Sequence, residues 1–344
     1  MSQFIPIILA SGLISFIATP LVRRLAQKLN FVANPGAQRF HTNPTPMLGG
    51  LAIYAGLMAA VFFSRLPSYR ELLAVLGGAT VMTLFGVWDD RHSLSPLMKL
   101  VGQAIATGLL VWGGIQVTLF RLPALDIAIT FLWVIGICNA INFQDNMDGL
   151  AAGLATIASA FFLVLAVVEG LGLVAALAAA MVGACVGFLY YNFNPASLFM
   201  GDAGSLLIGF VLAVLGIKLE FAGRPLAVTW MIPIIILGVP IFDTTLVVLS
   251  RIRRGKHIYQ GGTDHTSHRL VSVMGMTTPR AVMTLYLVAS CLGLIALMIR
   301  DATPLQARLI MGVLAVIFVI GIVWLEWRFI NGKTSSPQSG PDNS

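Results

Sequence analysis

Eleven stretches of this chain are apolar for long enough to cross a bilayer, and that pattern leaves few folds open. A helical span needs about 20 apolar residues. The candidates cover roughly 3–22, 47–64, 72–88, 97–114, 124–141, 150–168, 171–191, 204–219, 226–249, 281–299 and 306–326. Only 10% of the residues are charged, where a soluble domain carries roughly 25%. The expected fold is all-α, a polytopic membrane helical bundle of about eleven transmembrane helices. The first span, Phe4 to about Leu25, has no small-residue cleavage site and reads as a retained helix. Cys138, Cys185 and Cys291 lie in apolar runs without paired spacing, so they read as small core residues and suggest neither disulfides nor a metal site.

Lys and Arg in the loops set the orientation. With eleven spans, 14 of them fall on one side, from Arg23 to Lys333, and 7 on the other, from Arg65 to Arg308. The richer side is expected in the cytoplasm, with the N-terminus outside and the C-terminus inside. Residues 1–330 form one integral membrane domain, and 331–344 are polar, rich in Pro, Gly and Ser, and read as a disordered cytoplasmic tail. The net charge of +7 suits a basic surface against anionic lipid. The charges are dispersed over loops, which argues against nucleic acid as a partner. All five histidines, His41, His92, His257, His265 and His268, fall on the cytoplasmic side. So do Asp89, Asp90, Asp145, Asp148, Asp202, Asp243 and Asp264.

The densest polar stretch is Asn139 to Gly153, NAINFQDNMDGLAAG, between two apolar runs. Positions three apart share a helix face, so Asn142 neighbours Asp145, and Asp145 neighbours Asp148. The third span ends in Trp88-Asp89-Asp90-Arg91. Carboxylates at a helix C-terminus oppose the dipole by about 0.3–1 kcal/mol each, so Arg91, Lys99 or a divalent metal must compensate. Asp202, in SLFMGDAGS, reads either as a helix N-cap or as a metal ligand at a helix end suited to phosphate. Asp243 lies inside a span, where a structural partner for a neighbouring polar group is its expected role. The longest inner loop holds RIRRGKHIYQGGTDHTSHRL, with His265 and His268 three apart beside Asp264 and Arg269. No further Cys or His completes a zinc set there, and Arg and His donors suit phosphate oxygens. HTNPTPMLGG, from His41, ends in Gly49 and Gly50, which allow close helix packing or approach to a ligand. Asp-rich oxygen ligation suits Mg²⁺ or Mn²⁺ bridging substrate phosphates. Together these point to phosphoryl transfer between a soluble nucleotide and a lipid.

The motifs PTPMLGG, WDD, NFQDNMDGLAAG, FMGDAGS, PIFDTT and the histidine loop ending HRL occur in this order on one side. In this the chain resembles the polyprenyl-phosphate N-acetylhexosamine-1-phosphate transferases, glycosyltransferase family 4. The resemblance implies a reaction in which polyprenyl phosphate attacks a UDP-N-acetylhexosamine, releases UMP and starts a lipid-linked cell-envelope glycan, such as lipopolysaccharide or teichoic acid. It implies Asp202 as a Mg²⁺ ligand, with Asp145 and Asp148 positioning the nucleotide and the metal shell. One of Asp89 and Asp90 would orient or deprotonate the lipid phosphate. His265, His268 and nearby arginines, Arg251, Arg254 and Arg269, would hold the diphosphate, with Asn142 and Lys99 also contacting substrate. The implied place is a bacterial plasma membrane, and small-residue span faces allow a homodimer.

Bacterial members often carry H-x-H-H in the last loop, and the muramoyl-pentapeptide branch carries three consecutive histidines. This chain has His265-Thr266-Ser267-His268. The expected donor is therefore UDP-GlcNAc, with the phospho-N-acetylmuramoyl-pentapeptide transferase reaction as the alternative. A CDP-alcohol phosphatidyltransferase is rejected, because Gly153 stands where that signature needs Arg and its later acids are missing. An ion-coupled secondary transporter would use acids at membrane depth, and only Asp243 suits it.

Overall fold

A computed structural model describes residues 1–33, 45–63, 69–259 and 262–334; His41 and residues 335–344 of the expected tail lie outside these residues. The helices are α1 (Ile5–Lys28), α2 (Gly50–Phe63), α3 (Tyr69–His92), α4 (Pro96–Trp112), α5 (Pro123–Gln144), α6 (Leu150–Val168), α7 (Gly172–Asn192), α8 (Gly201–Lys218), α9 (Leu226–Thr229), α10 (Ile232–Ile236), α11 (Gly238–Arg253), α12 (Thr266–Ser272), α13 (Thr278–Arg300) and α14 (Pro304–Thr334). Two short strands, β1 (Val32–Ala33) and β2 (Thr45–Pro46), pair antiparallel with Val32 opposite Pro46. Lipid offers the backbone no hydrogen bonds, so helices satisfy it internally. The all-α expectation holds, and the chain is a multi-pass membrane protein.

Among the described residues, eight helices are long and apolar enough to cross a membrane. A bent pair, Leu226–Ile236 and Gly238–Arg253, meets at 72° and brings the number to nine if it is counted as one span. Two shorter apolar helices, Gly50–Ala59 and Pro96–Trp112, fall on the second and fourth expected spans. The expected continuous span over 226–249 is therefore broken. The cause is legible in its prolines. A proline removes the hydrogen bond to the carbonyl four residues earlier and clashes with it. Pro233 does this to Thr229, where α9 ends, and Pro240 does it to Ile236, where α10 ends. Apolar length alone hid both breaks.

α8 is the hub. Of its apolar window 83% is buried inside the protein, against 6% for α14. It packs on α2, α3, α5, α6, α7 and α10. α3 reaches it at backbone contact, since a Cβ on Gly86 would stand 2.4 Å from the Ala203 Cα. α2 does the same, since a Cβ on Gly50 would stand 2.1 Å from the Gly204 nitrogen. These approaches carry the C-terminal turn of α3 onto the N-terminal turn of α8, where the acids lie.

Gly86→Leu should therefore separate α3 from α8. The expected loss is about 1–3 kcal/mol or more of stability, read as a lower midpoint in thermal melts of the detergent-purified protein. Gly108→Ala is the control: a Cβ there meets nothing within 4 Å, so the melt should stay level or rise slightly. Equal melts for Gly86→Leu and the parent would contradict this packing.

Candidate active site

The last turn of α3 carries Asp89 and Asp90 into the first turn of α8. Asp90 Oδ1 accepts from the Asp202 backbone N–H at 2.8 Å and its Oδ2 from that of Ala203 at 3.2 Å. A carboxylate at a helix N-terminus satisfies orphan donors and complements the dipole. The acid that was unfavourable on α3 is thus compensated by α8. Asp89 is buried; one oxygen accepts from the Leu94 backbone N–H at 2.6 Å and the other pairs with the Lys99 ammonium. Lys99 lies one turn into α4, whose start is fixed by Ser95 as N-cap and Pro96. The same ammonium donates to Asp202 Oδ2 at 2.7 Å. Asp202 Oδ1 accepts from Asn142 Nδ2 at 3.0 Å, and that amide also reaches Ser205 Oγ at 2.9 Å. Asn139 pairs with Gln103 at 2.9 Å beneath this layer. Two carboxylates, Asp89 and Asp202, thus share one lysine.

The turn after α5 has a different job. Asp145 stands just past the helix end, half-buried. Asp148 is buried, and its Oδ2 accepts from Asn194 Nδ2 at 3.1 Å and from the Ala196 backbone N–H at 2.9 Å. That fastens the α7–α8 connection to the α5–α6 turn. Gly149 takes φ +77°, and its carbonyl accepts from the Tyr286 hydroxyl at 2.6 Å. Only a residue without a Cβ adopts that backbone readily.

Asp243 is almost fully buried on α11, one turn from Pro240. Its Oδ2 accepts from His265 Nδ1 at 2.8 Å and its Oδ1 from the Thr266 backbone N–H at 2.5 Å. The structural role expected of it is the one it has, with the histidine segment as partner. A carboxylate on Nδ1–H fixes the ring's tautomer and orientation, leaving Nε2 as the other polar atom of His265. Ser267 Oγ donates to Asn146 Oδ1 at 2.6 Å. Ser267 thus ties α12 to the α5–α6 turn. Phe143 lies edge-on to His265, with ring centroids 5.6 Å apart, and under the Arg251 guanidinium at 5.4 Å. Consecutive residues of α5 therefore touch both groups: Asn142 the acids, Phe143 the histidine segment.

The arginines sit inward. Arg251 is buried and bidentate on Asp264, with Nε and Nη2 at 3.1 and 3.0 Å. Arg254 Nη2 donates to Asp264 at 2.6 Å. Arg269 is fully buried and bonds the Asp264 carbonyl, Ser250 and Glu326. These three brace the histidine segment. Glu326, far along α14, is a partner that reading from the loops missed.

A model of glycosyl transferase family 4 matches residues 72–220. The chain is 34% identical to a probable undecaprenyl-phosphate N-acetylglucosaminyl 1-phosphate transferase of Bacillus subtilis, over 88% of this chain and 87% of that protein. It is 34% identical to a decaprenyl-phosphate N-acetylglucosaminephosphotransferase of Mycobacterium leprae, over 81% and 79%. A phospho-N-acetylmuramoyl-pentapeptide-transferase of Bacillus thuringiensis is 31% identical over 83% and 94%. The chain belongs to glycosyl transferase family 4. The matched stretch spans Asp89, Asp90, Lys99, Asn142, Asp145, Asp148 and Asp202, and the aligned relatives extend the likeness over most of the chain.

A cavity of about 400 Å³ lies at the other end of the same helices, between Trp133 on α5, Gly216 on α8 and Trp230. It is lined mostly by apolar groups. None of the acids named above lines it. Among the described residues, no three Asp, Glu, His or Cys side chains converge to hold a metal ion. The oxygen set is the pair Asp89 and Asp202 on one ammonium. Mg²⁺ commonly takes only one or two carboxylates, with substrate phosphates and water completing the shell. That donor pair fits it.

The histidine segment sets a pH window. Burial, and then the neighbouring His265, pushes His268 down to about 4, against the opposing pull of Asp243 and Asp264. His268 is therefore neutral at pH 7. An unfolded chain takes up this proton first as pH falls, so the stability is complete above about 6.5 and is lost towards 4, by roughly 3 kcal/mol in all. Asp264 works lower. Burial would raise it, but the Arg251 hydrogen bonds and charge, aided by Arg254, hold it at about 2. Its contribution is lost only as pH drops from about 4 towards 2. Melts between pH 7.5 and 4.5 should show a falling midpoint that His268→Gln flattens. Parallel curves for the two proteins would refute the assignment.

Proposed function

We propose that this protein transfers GlcNAc 1-phosphate from UDP-GlcNAc to a polyprenyl phosphate at the cytoplasmic face of a bacterial plasma membrane. The observation that carries it is the Lys99 ammonium shared by Asp89 and Asp202 at the N-terminus of α8, one helical layer from the histidine segment. Relatives named for polyprenyl-phosphate GlcNAc transfer are slightly more similar than those named for the muramoyl-pentapeptide. Orientation rests on the excess of Lys and Arg in the loops that flank both groups.

In the proposed reaction a lipid phosphate oxygen bonds to the sugar-bearing phosphorus of the nucleotide. The bond from that phosphorus to the bridging oxygen breaks, and its electron pair leaves with UMP. One anhydride is made and one broken. Bound Mg²⁺ would neutralise phosphate charge. Asp202, held by Lys99 and Asn142, and Asp89 are the residues that would hold it. Asp90 keeps the start of α8 in place. Lys99 balances the carboxylates while no phosphate is present and donates to phosphate oxygen when one is. His265, oriented by Asp243 through its Nδ1–H, presents Nε2 with its lone pair as an acceptor toward a protonated phosphate oxygen or a sugar hydroxyl, and neutral His268 stands beside it. Positioning and charge neutralisation carry most of phosphoryl transfer.

The transporter alternative needs an acid at membrane depth that changes partners. Asp243, the residue that suggested it, holds His265 and Thr266 instead.

Detergent-purified protein, given polyprenyl phosphate and Mg²⁺, should release UMP from UDP-GlcNAc. EDTA should abolish release and added Mg²⁺ restore it. Asp202→Asn should lower turnover by about 10²-fold or more while the protein still elutes as a folded species. UMP from the muramoyl-pentapeptide nucleotide alone would overturn the donor. No lipid-dependent UMP from either nucleotide would overturn the reaction.

A further inference from the structure

α14 is the most lipid-exposed helix of the bundle, with 6% of its apolar window buried. Its polar attachment to the body comes near its inner end. Glu326 accepts from Arg269 Nη1 at 2.6 Å, from Arg253 Nε at 3.0 Å and from Ser250 Oγ at 3.0 Å. The Leu325 carbonyl accepts from Arg269 Nη1 at 3.1 Å, and the Phe329 ring lies 4.4 Å from the Arg269 guanidinium carbon. Arg269 directly follows His268. Its Nε donates to the Asp264 carbonyl at 2.8 Å and its Nη2 to Ser250 Oγ at 3.0 Å. All three of its nitrogens are therefore engaged in the fully buried side chain.

A seven-residue helix is too short to hold its own shape in isolation. α12 is held at three points: Asp243 at its first residue, Asn146 on Ser267, and Ser250 with Glu326 on Arg269. The first two holds come from α11 and the α5–α6 turn. The third brings in a carboxylate from the last helix. Removing it would leave a buried guanidinium partly uncompensated, which is costly, and the segment would shift to relieve it.

We propose that Glu326 is a positioning residue that sets His265 and His268 through Arg269, so that the last helix is part of the active-site scaffold. The effect on turnover rests on the reading of the reaction given above; the effect on the histidines does not.

The test uses the full chain in detergent. Glu326→Ala should lower kcat/KM for UDP-GlcNAc by about 10–100-fold, because the histidines proposed to meet the diphosphate shift while the acid–lysine group is untouched. Glu326→Gln keeps an acceptor and should lie between it and the parent. Glu326→Gln combined with Arg269→Gln should be no worse than the poorer single variant, as expected for groups acting through one contact. Independently of activity, diethyl pyrocarbonate should modify exposed His257 equally in all variants. His265 and His268 should resist it in the parent and react on the order of tenfold faster in Glu326→Ala, read by peptide mass spectrometry. Trp327→Ala, an exposed neighbour on the same helix, should match the parent throughout. Unchanged reactivity of His265 and His268 in folded Glu326→Ala, or multiplied losses in the double variant, would overturn the proposal. Absence of UMP release from the parent would overturn the reaction alone, and histidine reactivity would still decide the role of Glu326.

Discussion

A carboxylate of α3 that accepts from the first backbone N–H groups of α8 organises this molecule. Asp90 can reach them only because α3 and α8 touch at backbone distance through Gly86. The contact solves two problems together. A helix C-terminus disfavours acids, and a helix N-terminus has unpaired donors. Joined, each end supplies what the other lacks. Asp89 and Asp202, the neighbours of these two residues, then face one ammonium. The motif WDD and the motif GDAG lie over a hundred residues apart in sequence, but they are two halves of one electrostatic arrangement.

α5 extends that arrangement sideways. Asn142 fixes Asp202, Phe143 packs against His265, and Asn146 holds Ser267. The polar stretch between two apolar runs is thus a bridge more than a binding face of its own. Asp148 shows why. Its contacts go to the chain entering α8 rather than outward, so it fixes where Asp202 stands. Asn142 and Phe143 reach their neighbours from the last turn of α5. The helix ends at Gln144, so Asp145 and Asp148 do not share a helix face as their spacing suggested, and Asn146 and Asp148 reach their partners from the turn.

The all-α, multi-pass architecture was legible because bilayer thickness imposes a length; among the described residues, eight of the eleven expected spans stand as single helices of spanning length. Asp202 stood out because it sits where a helix begins, and Lys99 as a cation able to compensate Asp89 and Asp90. The break in the ninth span was available in Pro233 and Pro240, but hydropathy masks it, since proline does not interrupt an apolar run. The inward setting of Arg251 and Arg269 was not legible. A basic run beside a membrane looks the same whether it meets lipid or Asp264. Glu326 was hidden most deeply, because its partner lies 57 residues away and no local pattern joins them.

The placement of the arginines bears on how the proposed chemistry would handle charge. A nucleotide diphosphate meeting a lipid phosphate brings several negative charges together. Arg251 and Arg254 share the one carboxylate of Asp264, and Arg253 and Arg269 share that of Glu326. His268 carries no charge near pH 7, given its pKa of about 4. Asp89 and Asp202 share the ammonium of Lys99. Buried in their ion pairs, Arg251 and Arg269 do not reach out to phosphate oxygen. On the proposed reading, neutralisation falls to a cation held on the acid side, and the histidine side contributes directed hydrogen bonds. That division explains why the protein devotes buried ion pairs to the shape of a seven-residue helix. Such pairs add little net stability, and their use lies in fixing one geometry. A neutral hydrogen-bonding group is effective only when it is aimed, whereas a cation acts at a distance.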